Sequence, residues 1–392
     1  MTRLPLKYGL NPQQENAVAE MPDGGPLPLS VLCGRPSVVN LLDALQGWQL
    51  VREASRALGL PAAASMKHVS PAGAAVAGEV DAVTRATFRL GDEVSALASA
   101  YARARDCDPR SSYGDMVALS HPVDMATATL LARVVSDGVI APAYEPGVAE
   151  ILARKKRGTF LVLQADPAYE PPAEQAREVF GVRIVQDTDP VSLDAASLAE
   201  GVEGAVRPTE QEMGDALLGL ITVRYTQSNS VAYVHDGRTI GIGAGQQSRV
   251  DCVRLAGEKA DRWRLRRHPL LAEPEFPPAM TLQDRVNSVL RFVEAGPDTE
   301  PERPGPVGFP ALALPAEPLD PAERRAWLAG HTPCTLVSDA YLPFRDNVDV
   351  AAGHGVRCIV EGGGSARGGE VETACAEHSV ALIRTGLRLF SH

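Results

Sequence analysis

Apolar positions recur at helical spacing over residues 37–60, SVVNLLDALQGWQLVREASRALGL, where Val38, Leu41, Leu42, Leu45 and Trp48 form one stripe. Ser37 offers an N-cap and Gly59 a stop, so the segment predicts an amphipathic helix. The next run, AAASMKHV, predicts a short buried strand, with SPAGAAVAG as its exit. Lys67 and His68 then fall near the carboxyl end of a strand, where open α/β sheets bind ligands. Two later segments, 134–163 and 336–360, each read strand, loop, helix, strand. Both carry V-S-D at the start, which puts Asp137 and Asp339 after a strand; duplication and coincidence both explain the match. Residues 268–333 break the pattern. They are rich in Pro and Glu around a helix at 281–294, and read as an irregular insertion or linker.

Length and composition narrow the class. A chain of 392 residues has room for two or three domain-sized units, and 45% hydrophobic residues supply a large core. A net charge of -11 argues against a nucleic-acid binder, which needs a basic surface. No run of 18 apolar residues is present, so no membrane span is expected. The start MTRLPLKYGL lacks a signal-peptide core, and a cytoplasmic location is expected. The six cysteines form no C-x-x-C pair, which points to reduced thiols and no zinc cluster. His235, His268, His331, His354 and His378 lack metal-ligand spacing. No G-x-S-x-G elbow and no P-loop occurs.

Some stretches could carry chemistry. GIGAGQQSR (241–249) follows the short strand VAYVHDG and precedes a helix. It is either a glycine loop bringing backbone and helix N-terminus to an anion, or a plain turn. VRYTQSNSV (223–231) reads as a strand with too many polar groups to be buried without partners, so it either satisfies backbone or lines a polar site. DPRSSYGD (108–115) and DAYLPFRDNVD (339–349) read as turns beside strands, with Arg345 and Asp346 as a local ion pair of little energetic weight. The C-terminal RTGLRLFSH is apolar enough to be tied down.

In order, LKYGLNPQQ, KHVSPAGAAV, YARARDCDPRSSYGD, VSDGVIAPAYE, VRYTQSNSVAYVHDGRTIGIGAGQQSRVDCVRLAGEKADRW, SDAYLPFRDNVD and TGLRLFSH cover essentially the whole chain. Together they resemble the transformylase part of the bifunctional purine-biosynthesis enzymes. These formylate 5-aminoimidazole-4-carboxamide ribotide (AICAR) and cyclise the product to IMP. The resemblance implies an α/β fold of two tandem cytidine-deaminase-like subdomains, arisen by internal duplication and free of zinc. It divides the chain into 1–170 plus 268–330 and 171–267 plus 331–392. It also implies a homodimer with active sites at the interface, 10-formyltetrahydrofolate as cosubstrate, and no nucleic-acid partner. The family's IMP cyclohydrolase domain is not in this sequence, so a separate IMP cyclohydrolase is expected.

The same resemblance assigns roles. His68 matches the base that deprotonates the amine, Lys67 the cation for the oxyanion or leaving folate nitrogen, and Asn229 a donor to the formyl oxygen. An imidazole titrates at about 6.5, suited to proton transfer at neutral pH. Adjacent strand residues face opposite ways, so Lys67 and His68 share a site only if the strand ends or bulges there, or a partner supplies a wall. Lys7, Tyr8, Arg249 and Arg388 match positions that hold the ribotide phosphate and base. Ser111, Tyr113, Gly114, Asp137, Tyr341, Pro343 and Asp346 match the lining of the folate and AICAR pockets. Val223, Thr226, Ser228, Ser230, Asp339 and Leu389 match a potassium site found in some members. The sequence departs from the family pattern at Lys7, often arginine, at Gln13, at Arg224, and at Ser391, which replaces a histidine. A formyltransferase acting on a different amine is the competing enzyme reading, and a catalytically silent binding subunit the non-enzyme one.

Overall fold

The computed structural model describes residues 2–271, 276, 279–295, 319–330 and 333–392. His331 and much of the Pro-rich sequence at 268–333 lie outside the described residues. β1 (Arg3–Pro5) pairs with β2 (Val18–Glu20) as a separate ribbon, and β3 (Leu29–Cys33) leads to the helix α1 (Val38–Leu58). There follow β4 (Ala62–Lys67), β5 (Ser70–Val76), α2 (Ala82–Phe88), α3 (Ala96–Cys107), β6 (Asp115–Leu119), α4 (Met125–Arg133), β7 (Ser136–Ala141), α5 (Val148–Ala153) and β8 (Leu161–Ala165). An exposed hairpin, β9 (Glu174–Val179) and β10 (Val182–Asp187), precedes α6 (Ala195–Glu200) and β11 (Val202–Glu203). The second half runs α7 (Glu210–Arg224), β12 (Val231–His235), β13 (Arg238–Gly243) and α8 (Arg249–Leu265). It continues with α9 (Leu282–Glu294), α10 (Pro321–Ala329), β14 (Cys334–Ser338), α11 (Asp346–Gly353), β15 (Val356–Glu361), α12 (Gly368–Glu377) and β16 (Ala381–Arg384).

Twelve strands form one mixed sheet in the order β11-β16-β15-β14-β12-β13-β5-β4-β6-β7-β8-β3. Its centre is the antiparallel contact of β13 with β5. Outward from that contact each half has an antiparallel hairpin, an antiparallel third strand and two further parallel strands. Buried side chains alternate between the faces, as a sheet covered on both sides requires. Met66, Ala118, Val234 and Val337 pack under α1 and α7. Ala63 and Val117 face the α3 side, and Tyr233 and Leu336 face α8. Among the described residues no helix is long and apolar enough to cross a membrane.

The helix expected at 37–60 is present, capped by Ser37 and closed by Gly59 at φ 68°. Several expectations need correction. SPAGAAVAG is not an exit but the returning strand β5, and Pro71 is accommodated by a bulge between Ser65 and Met66. Residues 223–231 are not a strand: α7 runs through Arg224 and a loop continues to Val231, so the polar side chains lie off the ladder. Gly241 and Gly243 lie in β13, not in a loop. A Cβ on Gly241 would meet the Ala256 carbonyl at 2.2 Å, and one on Gly243 the Cys252 carbonyl at 2.7 Å. These glycines let α8 sit down on the sheet. The V-S-D segments are out of phase, since Asp137 lies near the start of β7 whereas Asp339 follows the end of β14. Arg345 pairs with Asp349 and Glu377, not with Asp346. Finally, α9 is no bare linker: Val286, Leu290 and Val293 share a small core with Leu265 and Leu271.

Candidate active site at the sheet rim

The strand senses bring one set of ends to a common rim. The turn after β4, the starts of β6, β7 and β12, and the ends of β13, β14, β15 and β16 all open there. The N-terminus of α1 reaches the same rim and brings the start of the chain with it. Lys7 N–H donates to the Pro36 carbonyl at 2.8 Å, and Val38 N–H to the Tyr8 carbonyl at 3.3 Å. A cleft of about 700 Å³ beside the β1–β2 ribbon is lined by Arg3, Lys7, Tyr8 and Arg35, among others. It contains neither Lys67 nor His68.

At the middle of the rim β4 stops at Lys67, and Ser70 opens β5. His68 (φ 53°) and Val69 (φ 60°) form the two-residue connection, both in the left-handed region. That geometry suits Asn and Gly, and is unfavourable for a β-branched valine. Val69 N–H donates to Oδ1 of Asp43, in the second turn of α1, at 2.6 Å. Burial pushes the Asp43 carboxyl above its ordinary range, against the opposing pull of that hydrogen bond and of His68 and Lys67. Lys67 turns the other way. Its Nζ donates to the carbonyls of Tyr113 (3.1 Å) and Gly114 (3.0 Å). Gly114 is at φ 73°, and a Cβ there would lie 3.3 Å from Lys67 Nζ and 3.8 Å from Oδ1 of Asp137. His68 is exposed and hydrogen-bonds to no other described residue. The strand thus ends early enough for both side chains to stand at one rim.

Asp137 is paired with Lys156 at 2.5 Å. Beside it, Lys155 donates to Ser136 Oγ at 2.5 Å and lies over the Phe160 ring; burial pushes its pKa down to about 7. Tyr113 is exposed, whereas the Ser111 hydroxyl donates to Asp108 at 2.7 Å. Sequence reasoning misses Asp43 and Lys155. Asp43 sits inside a helix stripe, and nothing in the KKR run separates Lys155 from its solvated neighbours.

A second group lies further along the rim, tied to the first where Gln227 N–H donates to Ser70 Oγ at 3.2 Å. Arg249 Nη2 donates to Asn229 Oδ1 at 2.8 Å, and Asn229 Nδ2 donates to the Gln247 carbonyl at 3.1 Å. Arg249 is only 8% exposed, pairs with the fully buried Asp339 and donates to the Ser230 carbonyl at 3.0 Å. Any ligand phosphate would share a cation that Asp339 already neutralises. The other Asp339 oxygen accepts from Ser230 N (2.9 Å) and Oγ (3.1 Å), and its carbonyl accepts from Leu389 N at 2.8 Å. The Val223 carbonyl accepts from Thr226 N at 3.0 Å. Ser391 and Ser228 exchange two hydrogen bonds, at 3.0 and 3.1 Å, which ties down the C-terminus. Tyr341, Pro343 and Asp346 follow Asp339 in the chain, and Tyr341 and Asp346 are exposed. Arg388 is exposed and stacks on Phe390 at 5.2 Å.

The outer members of the two groups, Asp137 and Arg388, do not converge. From β7, which carries Asp137, to β14, beside which the chain of Arg388 runs, is six strand steps. At ordinary strand spacing that is roughly 29 Å along the sheet. Among the described residues no group of three His, Cys, Asp or Glu side chains could hold a metal ion.

The model of the AICARFT/IMPCHase bienzyme family matches residues 1–259, which include Lys7, Tyr8, Lys67, His68, Asp137, Asn229 and Arg249. This chain belongs to that family. Three bacterial proteins named bifunctional purine biosynthesis protein PurH are similar to it over 99% of its length: 33% identical in Magnetococcus marinus, 32% in Roseobacter denitrificans and 31% in Cereibacter sphaeroides. The chain spans 59% of the length of each of these relatives. The similarity to them continues past residue 259.

Proposed function

We propose that the rim transfers the formyl group of 10-formyltetrahydrofolate to the 5-amino group of AICAR, giving formyl-AICAR and tetrahydrofolate. The observation that carries this reading is that β4 ends at Lys67 and passes into a turn that leaves His68 exposed on the same rim, in a chain of the AICARFT/IMPCHase family. The amine is a weak nucleophile because its lone pair is delocalised into the carboxamide-bearing ring, so a base and an oxyanion stabiliser are needed. His68 takes the amine proton as nitrogen bonds to the formyl carbon. Lys67, held by two carbonyls, offers its remaining N–H to the oxyanion or to folate N10. Arg249 fixes the Asn229 amide so that Nδ2 is presented, with one proton on Gln247 and the other left for the formyl oxygen. Collapse breaks the carbon–N10 bond, and N10 takes up the proton.

In this reading the protein is a homodimer whose sites draw the Asp137 group from one chain and the Arg388 group from the other. The roughly 29 Å between them along one sheet supports this. The repeated strand order supports two subdomains of common origin; in this reading they are cytidine-deaminase-like and divided as 1–170 plus 268–330 and 171–267 plus 331–392. Val223 O, Ser230 Oγ and Asp339 form a buried oxygen-rich knot. With Asp339 already paired to Arg249, that knot suits a monovalent cation such as potassium, which would steady the 225–230 loop under Asn229. Formyl-AICAR needs a cyclohydrolase to become IMP, and we assign no such activity to the residues described. The location would be cytoplasmic.

The test is steady-state tetrahydrofolate release with AICAR as acceptor. His68→Ala and Lys67→Ala are each expected to lower kcat by at least about a hundredfold. Near-parental turnover in His68→Ala would remove the base assigned here.

A further inference from the structure

The hairpin that carries Lys67 and His68 has a counterpart in the other half of the chain, and the comparison singles out one residue. α1 and α7 begin with the same device: Ser37 with Asn40 and Thr209 with Glu212 each form a capping box. Six residues after each cap stands a buried aspartate, within Asp43-Ala44-Leu45-Gln46-Gly47 and Asp215-Ala216-Leu217-Leu218-Gly219. Gly47 lets α1 cross β4 and β6, where a Cβ would meet Met66 at 2.7 Å and Ala118 at 2.9 Å. Gly219 does the same over β14 and β12, against Val337 (2.3 Å) and Val234 (3.2 Å). Each aspartate then grips a two-residue turn. Asp43 accepts from Val69 N–H at 2.6 Å. Asp215 accepts from Gly237 N–H at 2.7 Å and Asp236 N–H at 3.0 Å.

The two turns share a backbone but not a sequence. Asp236 (φ 52°) and Gly237 (φ 67°) are a pair that this left-handed conformation favours. His68 and Val69 adopt the same conformation without the residues for it. Of these two matched turns, local sequence and backbone disagree in the one that presents the proposed base, and such disagreement gathers at functional positions. Something outside the turn must hold it, and Asp43 is the group in contact.

We propose that Asp43 is a positioning residue for the proposed reaction. By holding Val69 N–H it keeps the His68-Val69 turn left-handed, and so fixes His68 on the rim beside Lys67. Asp215 performs the same structural task in the half whose turn carries no chemistry. The inference rests on the role of His68 proposed above.

The experiment compares kcat and KM for AICAR and 10-formyltetrahydrofolate in the full chain and its variants. Asp43→Ala is expected to lower kcat about a hundredfold, the scale of a misplaced catalytic group, with each KM within about threefold. Asp43→Asn keeps an acceptor oxygen and should recover most of that loss. Val69→Gly suits the turn by itself, so Asp43→Ala/Val69→Gly should return to within about threefold of Val69→Gly alone. This double variant also serves if Asp43→Ala does not fold. Asp215→Ala should lower thermal stability while the folded protein keeps its kcat. Parental kcat in Asp43→Ala, or a double variant as impaired as Asp43→Ala, overturns the positioning role. Full activity in His68→Ala overturns instead the reading on which it rests, so the two failures are separable.

Discussion

Arg249 Nη2 donates to Asn229 Oδ1 at 2.8 Å while the same guanidinium neutralises the buried Asp339. One cation therefore sets the orientation of an amide and balances a carboxylate with no access to water. The two tasks separate by substitution. Asn229→Ala leaves the ion pair in place and is expected to lower kcat by about 10²–10³, the scale for one lost oxyanion donor, with little change in melting temperature. Arg249→Met strands the Asp339 charge and is expected to cost about 3–5 kcal/mol of stability in denaturant titration. Equal loss of stability in both variants would contradict this division.

Gly241 illustrates a glycine whose work is packing. A Cβ there meets the Ala256 carbonyl of α8 at 2.2 Å, and backbone cannot move aside cheaply. Gly241→Ala should destabilise the fold by about 1–3 kcal/mol without changing KM for AICAR. A ligand-binding glycine loop predicts the reverse: raised KM with stability intact.

Asp215 makes a prediction about pH. Burial pushes its carboxyl up to about 6 from an ordinary 3.8, despite the hydrogen bonds it accepts. The folded chain then keeps a proton that the unfolded chain has released between about pH 4 and 6. Stability from this group is present below that window and lost as pH rises through it, by up to ~3 kcal/mol. Asp215→Asn should flatten the stability profile over that window in equilibrium denaturation. Asp81 titrates in a different window. Burial alone would raise it, but Arg267 and Arg238 hold it well below the usual range, so its contribution is lost in acid. An unchanged profile in Asp215→Asn would show that its carboxyl is not displaced.

A site divided between chains predicts complementation. Asp137→Ala and Arg388→Ala should each be nearly inactive alone. Mixed, unfolded and refolded together, they should regain about a quarter of the parental activity. Half of the dimers are then mixed, and one of the two sites in each carries neither change. Absence of recovery, with mixed dimers demonstrated by tag pull-down, would place both residues in sites within single chains.

Much of this was legible in sequence because it depends on local signals. The helix from Val38, its Ser37 cap and the order of strands and helices appear as expected, although Leu42 of the predicted stripe faces outward at 41% exposure. What misled were segments whose state is decided by tertiary partners. Gly241 and Gly243 look like loop residues until α8 is laid over them. The polar run after Val223 looks like a strand because its partners, Ser70, Asp339 and Ser391, are far along the chain. V-S-D drew attention to a repeat in the wrong phase, while the informative repeat, D-A-L-x-G after a capping box, lay inside two helices. Nothing in the sequence alone marks Asp43 as the partner of Val69, because the contact joins a helix to a turn that follows a full strand later.

The central claim is that this rim moves a formyl group from folate to an aromatic amine. Its most direct test is a single-turnover reaction of excess protein with AICAR and 10-formyltetrahydrofolate labelled in the formyl carbon. The account predicts that label appears in formyl-AICAR in step with tetrahydrofolate, and that both products fall together in His68→Ala. Label retained on folate, or released as formate with AICAR unchanged, would contradict it.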